Sequence, residues 1–268
     1  MSIPAQTFER RSRSDRRRSD PHPITEDLAD ALTGGEIALA YQPQWHAGDG
    51  ALAGTEALAR WGHPKHGSLA GDSLVAIAQS GGLARRLSRY IARTALADAR
   101  EWPAHVHLSL NVTAMDLFDR TFADDLLAMV ADSGFPEDRL TLEITEQALV
   151  ADLDRSAARL ETLAARGLRI ALDDFGAGFC NFRYLKLLPL HALKLDRSMV
   201  EGIASDERDL AVLRGIVAMA RALSLDVIAE GIESAEQRDI AIAEGCDVWQ
   251  GYLGGKPVDA KGFAELVG

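Results

Sequence analysis

Short apolar runs alternate with amphipathic stretches along most of this chain of 268 residues. Eight runs have the length and side-chain character of strands, and they cover residues 37–44, 52–61, 105–113, 140–146, 168–175, 192–196, 226–232 and 248–255. Helical spacing of apolar residues predicts longer segments over 116–134, 148–167, 207–224 and 234–245. Several of these segments end in glycine, a common helix terminator, and Asp206 and Ser234 are suitable N-cap residues.

The order of these elements predicts the fold class. Eight strands that alternate with helices indicate an α/β protein, and a closed (β/α)₈ barrel of the TIM type is favoured over an open sheet. The first two strands are an exception, because only residues 46–50 separate them and a helical crossover needs more. We therefore expect a TIM-like barrel whose first strand is antiparallel.

Composition sets the class of protein. The chain is 47% hydrophobic, yet no apolar stretch approaches the roughly 20 residues that a membrane helix needs. We expect a globular, cytoplasmic protein with no signal peptide and no transmembrane segment. Cys180 and Cys246 are far apart and fit no metal or redox spacing, so we expect both to be reduced and buried.

The N-terminal residues differ from the rest in charge. Residues 1–20 carry six arginines against Glu9, Asp15 and Asp20, whereas the whole chain has a formal net charge of −11. A body this acidic is a poor general binder of nucleic acid. The polar, serine-rich composition predicts a disordered tail over 1–22 and a folded domain over 23–268. The tail is either a solvated leader or a contact for an anionic surface or partner.

Polar side chains recur along nearly every predicted strand. Barrel chemistry is built where strands end, so these side chains should face one cavity. Clustered carboxylates raise one another's pKa unless a cation is bound, and all-oxygen ligands suit Mg²⁺ or Mn²⁺. The residues are Glu56, Asn111, Glu143, Asp173, Asp174, Lys194, Asp196, Glu230 and Gln250.

Asp173 and Asp174 raise a geometric question. Neighbouring side chains on a strand point to opposite faces, so both can serve one site only where the strand stops and the backbone turns. Asp174 also begins an Asp-Phe-Gly triplet like that of protein kinases, but no kinase catalytic loop or glycine-rich nucleotide loop accompanies it.

More than one chemistry fits a barrel site with these acids and a lysine. Enolase-type sites combine Mg²⁺-binding carboxylates with a lysine base. The number of acids favours two ions, which suits phosphodiester cleavage better than enolisation.

A family resemblance runs from about Tyr41 to Pro257. The triplet Glu56-Ala57-Leu58 resembles the signature of the EAL domain, the cyclic-di-GMP phosphodiesterase family. The similarity continues through LSLN, LEITE, DDFGAGF, LKLDRS, AEGIE and QGYLGGKP, in the order that the family has them.

The resemblance implies roles for individual residues. One metal ion would be held by Glu56, Asn111, Glu143 and Asp173, and a second by Asp173, Asp174 and Glu230, with Asp173 bridging both. Arg60 resembles the residue that contacts a substrate phosphate, and Gln42 one that lines the ligand groove. Lys194 would position or activate the attacking water, with Asp196 on the same strand face. Glu233 and Gln250 resemble supporting polar residues, and Glu146, pointing away along a continuing strand, one that steadies the loop after the fifth strand.

The implied reaction is hydrolysis of cyclic-di-GMP to linear pGpG by two-metal-assisted attack of water on a phosphodiester. The implied cofactor is Mg²⁺ or Mn²⁺, two ions per site, and the implied assembly is a homodimer. The alternative is a catalytically weak EAL domain that acts as a cyclic-di-GMP receptor or interaction module. The chain departs from common family residues at Gly71, Leu74, Gln79, Ala177 and Gly254, where we expect altered packing or partner contacts, loop dynamics and groove shape rather than lost chemistry.

Overall fold

The computed structural model describes residues 23–150, 152–178 and 182–268. Within these ranges the strands are β1 (Ile37–His46), β2 (Leu52–His63), β3 (Gly67–Ala70), β4 (His107–Val112), β5 (Leu140–Thr145), β6 (Arg169–Phe175), β7 (Ala192–Leu195), β8 (Asp226–Ala229), β9 (Val248–Gln250) and β10 (Val258–Asp259). The α-helices are α1 (Pro23–Gly34), α2 (Gly71–Ser80), α3 (Ala84–Asp98), α4 (Ala114–Phe118), α5 (Phe122–Ser133), α6 (Glu146–Leu149), α7 (Leu153–Ala164), α8 (Phe182–Leu187), α9 (Glu207–Ala222), α10 (Ala235–Glu244) and α11 (Ala260–Val267). The predicted tail, residues 1–22, lies outside the described residues.

Eight strands close a barrel with helices outside it, as the sequence predicted. β2, β4, β5, β6, β7, β8 and β9 follow one another as parallel neighbours. β1 runs antiparallel to both of its barrel neighbours, β2 and β9, and so closes the ring. The antiparallel first strand is therefore confirmed. β3 and β10 were not predicted; β3 pairs with the last residues of β2, Arg60–His63, and β10 pairs with Ala40 and Tyr41 in the middle of β1.

Two predicted helices are each divided in two. The segment 116–134 forms α4 and α5, because Asp119 accepts a hydrogen bond from the backbone N–H of Thr121 at 3.0 Å and ends the first helix. The segment 148–167 forms α6 and α7, and Asp152 caps the second by accepting from the N–H of Arg155. Such side-chain caps compete with a continuous helix. Helices α1, α3, α8 and α11 were not predicted.

The helix termini elsewhere follow the sequence signals. Asp206 and Ser234 cap α9 and α10 as predicted, and Ser234 forms a capping box with Gln237. Gly134 and Gly245 end α5 and α10 in the left-handed conformation that glycine adopts without strain.

The barrel interior is layered, and the layering positions the site. Side chains two residues apart on a strand share a face. Near the start of their strands, Ala171 and Ala192 contact Ile228 in a small apolar cluster. Two residues further on, the same faces carry Asp173 and Lys194. The interior thus changes from apolar to charged along the barrel axis.

Apolar packing surrounds this interior. The main core lies between the strands and the outer helices, and a smaller core joins α1, α2 and α3 to β2. Leu74 of α2 is buried in the smaller core. Cys246 is buried as predicted, whereas Cys180 lies outside the described residues. Among the described helices, none has the length and apolar character needed to cross a bilayer.

Candidate active site

The end of β6 brings two neighbouring acids to one site. Asp174 has φ +54°, and the pairing with β7 shifts register between Leu172 and Phe175. This left-handed residue turns the backbone, which is what two adjacent carboxylates need in order to converge. Asp173, Asp174 and Glu230 each offer a carboxylate oxygen within 4.8 Å of the other two.

Lys194 is the centre of the carboxylate cluster, which we define as Glu56, Glu143, Asp173 and Glu230. Its Nζ lies 2.6 Å from a Glu143 oxygen, 2.7 Å from Glu230, 3.1 Å from Asp173 and 3.6 Å from Glu56. The lysine is fully buried. One cation therefore faces four carboxylates, which leaves a surplus of negative charge in a place with little water.

Amide side chains hold Glu56 in this cluster. Asn111 donates to one oxygen of Glu56 at 2.7 Å, and Gln250 donates to the other at 2.9 Å. Gln44 donates in turn to the carbonyl oxygen of Gln250 at 2.9 Å. Register explains part of the arrangement, since Asn111 pairs with Glu143 across β4 and β5, and Gln44 pairs with Gln250 across β1 and β9.

The pKa values reflect burial of like charges. Burial raises the pKa of Glu230 to about 8 and that of Glu143 well above its usual range, although Lys194 opposes both shifts. Burial also acts to raise the pKa of Glu56, but the charge of Lys194 and the amide hydrogen bonds outweigh it and lower this pKa. For Lys194 burial acts to lower the pKa, and the carboxylates outweigh it and raise the pKa well above its usual range. The pKa of Asp174 is raised by burial and by Asp173.

A divalent cation fits this set of donors. Glu143 Oε1 is buried without a hydrogen-bond partner, and Glu230 Oε1 contacts Lys194 without hydrogen-bond geometry. Buried acceptors of this kind are costly unless something positive meets them. Carboxylate and amide oxygens are the ligands that Mg²⁺ and Mn²⁺ prefer. The residues present therefore suit a hard divalent metal ion.

Two cavities flank the cluster, with Leu58 in the wall of both. The larger, about 490 Å³, is lined by Arg60, Asn111, Asp173 and Asp174 together with many apolar side chains. Arg60 also donates to the carbonyl oxygen of Ala59.

The smaller cavity, about 230 Å³, is lined by several polar side chains, among them Gln42, Glu56, Glu230, Glu233 and Gln250. The predicted substrate contacts Arg60 and Gln42 thus line different cavities, which share Leu58 in their walls.

Two predictions about residue placement are wrong. Asp196 was expected on the strand face of Lys194, but β7 ends at Leu195, and Asp196 caps the following 3₁₀ helix, Arg197–Met199. Glu146 was expected on a continuing strand, but β5 ends at Thr145 and Glu146 is the first residue of α6. In both cases the chain turns as soon as the strand reaches the barrel rim.

Two residues near the site were missed. Gln44 is buried beside Gln250, and its position two residues after Gln42 on the same strand face is a signal that was present in the sequence. Arg197 lines the smaller cavity and forms an ion pair with Glu233. Arg197 lies within LKLDRS, one of the segments of the family resemblance, but its contact with Glu233 joins segments that are far apart in the chain.

Comparison with known proteins places these features in context. The family model of the EAL domain matches residues 25–257. From Pseudomonas aeruginosa, the bifunctional diguanylate cyclase/cyclic di-GMP phosphodiesterase MucR is 34% identical over 89% of this chain and 35% of its own length. The cyclic di-GMP phosphodiesterase NbdA of the same organism is 34% identical over 91% of this chain and 32% of its own length. The chain thus spans about a third of these curated relatives.

Structural comparison agrees with the sequence match. A solved structure of the PaMucR phosphodiesterase in a c-di-GMP complex superposes with a TM-score of 0.84 at 33% identity, covering 90% of this chain and 99% of that one. The EAL enzyme Bd1971 in its form bound to cAMP and cyclic-di-GMP gives a TM-score of 0.85 at 29% identity, over 91% of this chain and 68% of that one. The match over residues 25–257, the barrel with its antiparallel first strand and the acids at the strand ends show that this chain belongs to the EAL domain family.

Proposed function

We propose that this protein hydrolyses cyclic-di-GMP to linear pGpG in the presence of Mg²⁺ or Mn²⁺. The observation that carries the proposal is the buried cluster of four carboxylates with one lysine at the barrel rim, in a family whose named relatives include cyclic-di-GMP phosphodiesterases. No acid or amide that the resemblance assigns to the metal site is missing from the chain.

The proposed metal ligands form two overlapping groups. Glu56, Asn111, Glu143 and Asp173 would hold one ion, and Asp173, Asp174 and Glu230 would hold the other. Bound there, the ions would supply Lewis-acid chemistry, which neutralises phosphate charge and lowers the pKa of an attacking water. The carboxylate oxygens of the second group already lie close together, which supports the assignment.

Lys194 would act as a fixed cation rather than as a base. The surrounding carboxylates hold its pKa well above the usual range, so the side chain carries a proton and donates hydrogen bonds. Such a donor can orient a water molecule and stabilise negative charge on a phosphate oxygen. Gln250 and Asn111 would keep Glu56 in place, because both already donate to its carboxylate.

Substrate binding would use both cavities. Arg60 would contact a substrate phosphate from the larger one, and Gln42 would line the groove on the side of the smaller one. The acidic body does not prevent binding of an anionic dinucleotide, because bound cations and Arg60 reverse the sign of the local charge.

The direct test is to incubate the purified protein with cyclic-di-GMP and Mg²⁺ or Mn²⁺ and to separate the products by chromatography. We expect pGpG to accumulate, and a chelator should abolish its formation. Asp173→Asn serves as the inactive control. Binding of cyclic-di-GMP without any cleavage at either metal would refute the enzymatic proposal and support the receptor alternative.

We also propose that the protein forms a homodimer near the β6 end. Phe182 and Leu187 of α8 are exposed, and they offer apolar surface to a second copy of the chain next to the segment that follows the site. Sedimentation velocity on the wild type and on Phe182→Asp should show a dimer for the first and a monomer for the second. A fully active wild-type monomer at all workable concentrations would contradict the proposal.

The Arg-rich tail is proposed as a contact for an anionic partner or surface. Vesicles containing anionic lipid are a suitable probe, and binding should weaken steeply between low and physiological salt. Deletion of residues 1–20 should remove this binding. An unchanged salt dependence in the truncated protein would leave the tail as a solvated leader.

A further inference from the structure

We propose that Arg197 is a positioning residue for this site, which holds Glu233 on the wall of the smaller cavity and cancels the charge of its carboxylate. The inference rests on the proposed function, because it concerns the approach of an anionic dinucleotide to the carboxylate cluster.

Asp196 fixes the backbone turn that contains Arg197. The Asp196 carboxylate accepts hydrogen bonds from the backbone N–H of Ser198 at 3.0 Å and from its hydroxyl at 2.5 Å. These bonds cap the 3₁₀ helix Arg197–Met199 directly after β7. Asp196 therefore sets the direction in which the Arg197 side chain leaves the barrel rim.

Close packing then directs the arginine across the segment that follows β8. Gly231 has φ +68°, and a Cβ placed on it would lie 2.5 Å from Arg197 Cγ. Only glycine allows this approach, both for its backbone conformation and for the space that the arginine occupies. The aliphatic part of Arg197 consequently lies on the backbone between Glu230 and the segment that carries Glu233.

The same short helix also contacts the segment that follows Asp173 and Asp174 at the end of β6. A Cβ on Gly176, which follows Asp174 and Phe175, would lie 2.5 Å from Met199 Cγ. The 3₁₀ helix is therefore wedged between the segment after β6 and the segment after β8. Its residues are held from both sides and can place a side chain accurately.

The guanidinium completes the arrangement. Arg197 Nη1 lies 2.9 Å from Glu233 Oε1, and the contact of Nη2 with Glu201 is longer, at 3.9 Å. The backbone N–H of Glu233 donates to Gln237 Oε1 at 2.9 Å, so both ends of the ion pair are on fixed backbone. The Arg197 and Glu233 side chains are 53% and 44% exposed, so the pair stabilises the fold little and its effect is local.

The charge balance of the cavity gives this pair a function. Among the described residues that line the smaller cavity, three are carboxylates and Arg197 is the one cation. Glu56 and Glu230 are in ion-pair contact with Lys194, whereas Glu233 is in ion-pair contact with Arg197. Without Arg197, a carboxylate free to move would repel each incoming phosphate.

The test is a double-mutant cycle with Arg197→Ala and Glu233→Gln, measured as KM and kcat for cyclic-di-GMP. We expect Arg197→Ala to raise KM about 3- to 10-fold with kcat changed less than about 2-fold, because a charge at the cavity edge governs approach more than chemistry. In the Glu233→Gln background the same substitution should change KM less than about 2-fold. Arg197→Lys, which keeps the charge, should restore most of the loss.

Arg214→Ala is the matched control. Arg214 also forms an ion pair with a glutamate, Glu244, but on α9 and α10 away from both cavities. Two results would overturn the inference while leaving the proposed function intact. One is a KM for Arg197→Ala no higher than that for Arg214→Ala, and the other is an equal increase in KM with and without Glu233. Wild-type protein that neither binds nor cleaves cyclic-di-GMP would refute the proposed function and the inference with it.

Discussion

The two ends of the barrel differ in how their charged side chains are paired and in how far these side chains are buried. Where β6 and β8 begin, Arg169 and Asp226 form a one-to-one ion pair whose side chains are 33% and 53% exposed. Where β6 and β8 end, Asp173 and Glu230 share the buried Lys194 with two further carboxylates. The first arrangement costs little because water screens it. The second keeps a negative surplus out of water, which stability alone does not account for and a cationic ligand does.

The largest expected effect comes from Asp173→Asn. An amide keeps the shape of the side chain but loses the charge proposed to serve both ions, so hydrolysis should fall about 10²- to 10⁴-fold, equivalent to roughly 3 to 5 kcal/mol. Metal-free stability should not decrease, since one charge is removed from a repulsive cluster. Asp226→Asn, at the other end of the barrel, is the control and should leave turnover unchanged. Near-normal turnover in folded Asp173→Asn would contradict the bridging role.

Removal of the central cation comes next. Lys194→Met should lower the free energy of unfolding of the metal-free protein by about 3 to 5 kcal/mol, because four buried carboxylates lose their common partner. The measurement is urea denaturation in the presence of a chelator. Added Mg²⁺ should recover part of the loss. A stability equal to that of the wild type would mean that Lys194 does not hold the cluster together.

Metal binding by the carboxylate cluster should depend on pH. Burial raises the pKa of Glu230 to about 8, and its carboxylate must lose the proton before it can bind a cation. Apparent affinity for Mg²⁺ should therefore increase with pH up to about 8, by up to about tenfold per unit.

Thermal unfolding at different pH values can measure both the stability of the metal-free protein and the stability gained from Mg²⁺. Because the folded pKa of Glu230 is raised, its contribution to metal-free stability is complete below the unfolded pKa near 4.5 and is lost as pH rises through about 8. The melting temperature without metal should thus fall over this window, while the gain from Mg²⁺ grows. Glu230→Gln should flatten both trends. If the melting temperature of that variant still depends on pH as in the wild type, another group is responsible for the pH dependence.

The smallest effect is expected at the opposite end. Arg169→Met should change the free energy of unfolding by no more than about 1 kcal/mol, because the ion pair with Asp226 is partly exposed. The same denaturation experiment serves for this variant. A loss of stability as large as that of Lys194→Met would show that the exposed ion pair and the buried cluster contribute equally to folding.

Strand positions and the strand-end acids could be predicted from the sequence because strand periodicity and chemical type are local properties. The sharp turns at the rim were harder: Asp196 and Glu146 continue apolar strand patterns, but capping and helix formation begin there. Helices α1 and α3 were missed, although α3 contributes several buried residues. The ion pair of Arg197 with Glu233 could not be predicted, because it depends on packing of Arg197 against Gly231, which is remote in sequence.

The left-handed conformation of Asp174 also limits how this protein can evolve. At φ +54°, most side chains are strained, whereas asparagine and glycine are tolerated. The codons of both are one nucleotide change from those of aspartate. A lineage can therefore discard this negative charge in one mutational step without disturbing the turn, and the barrel with its two cavities would remain for selection to use in another role.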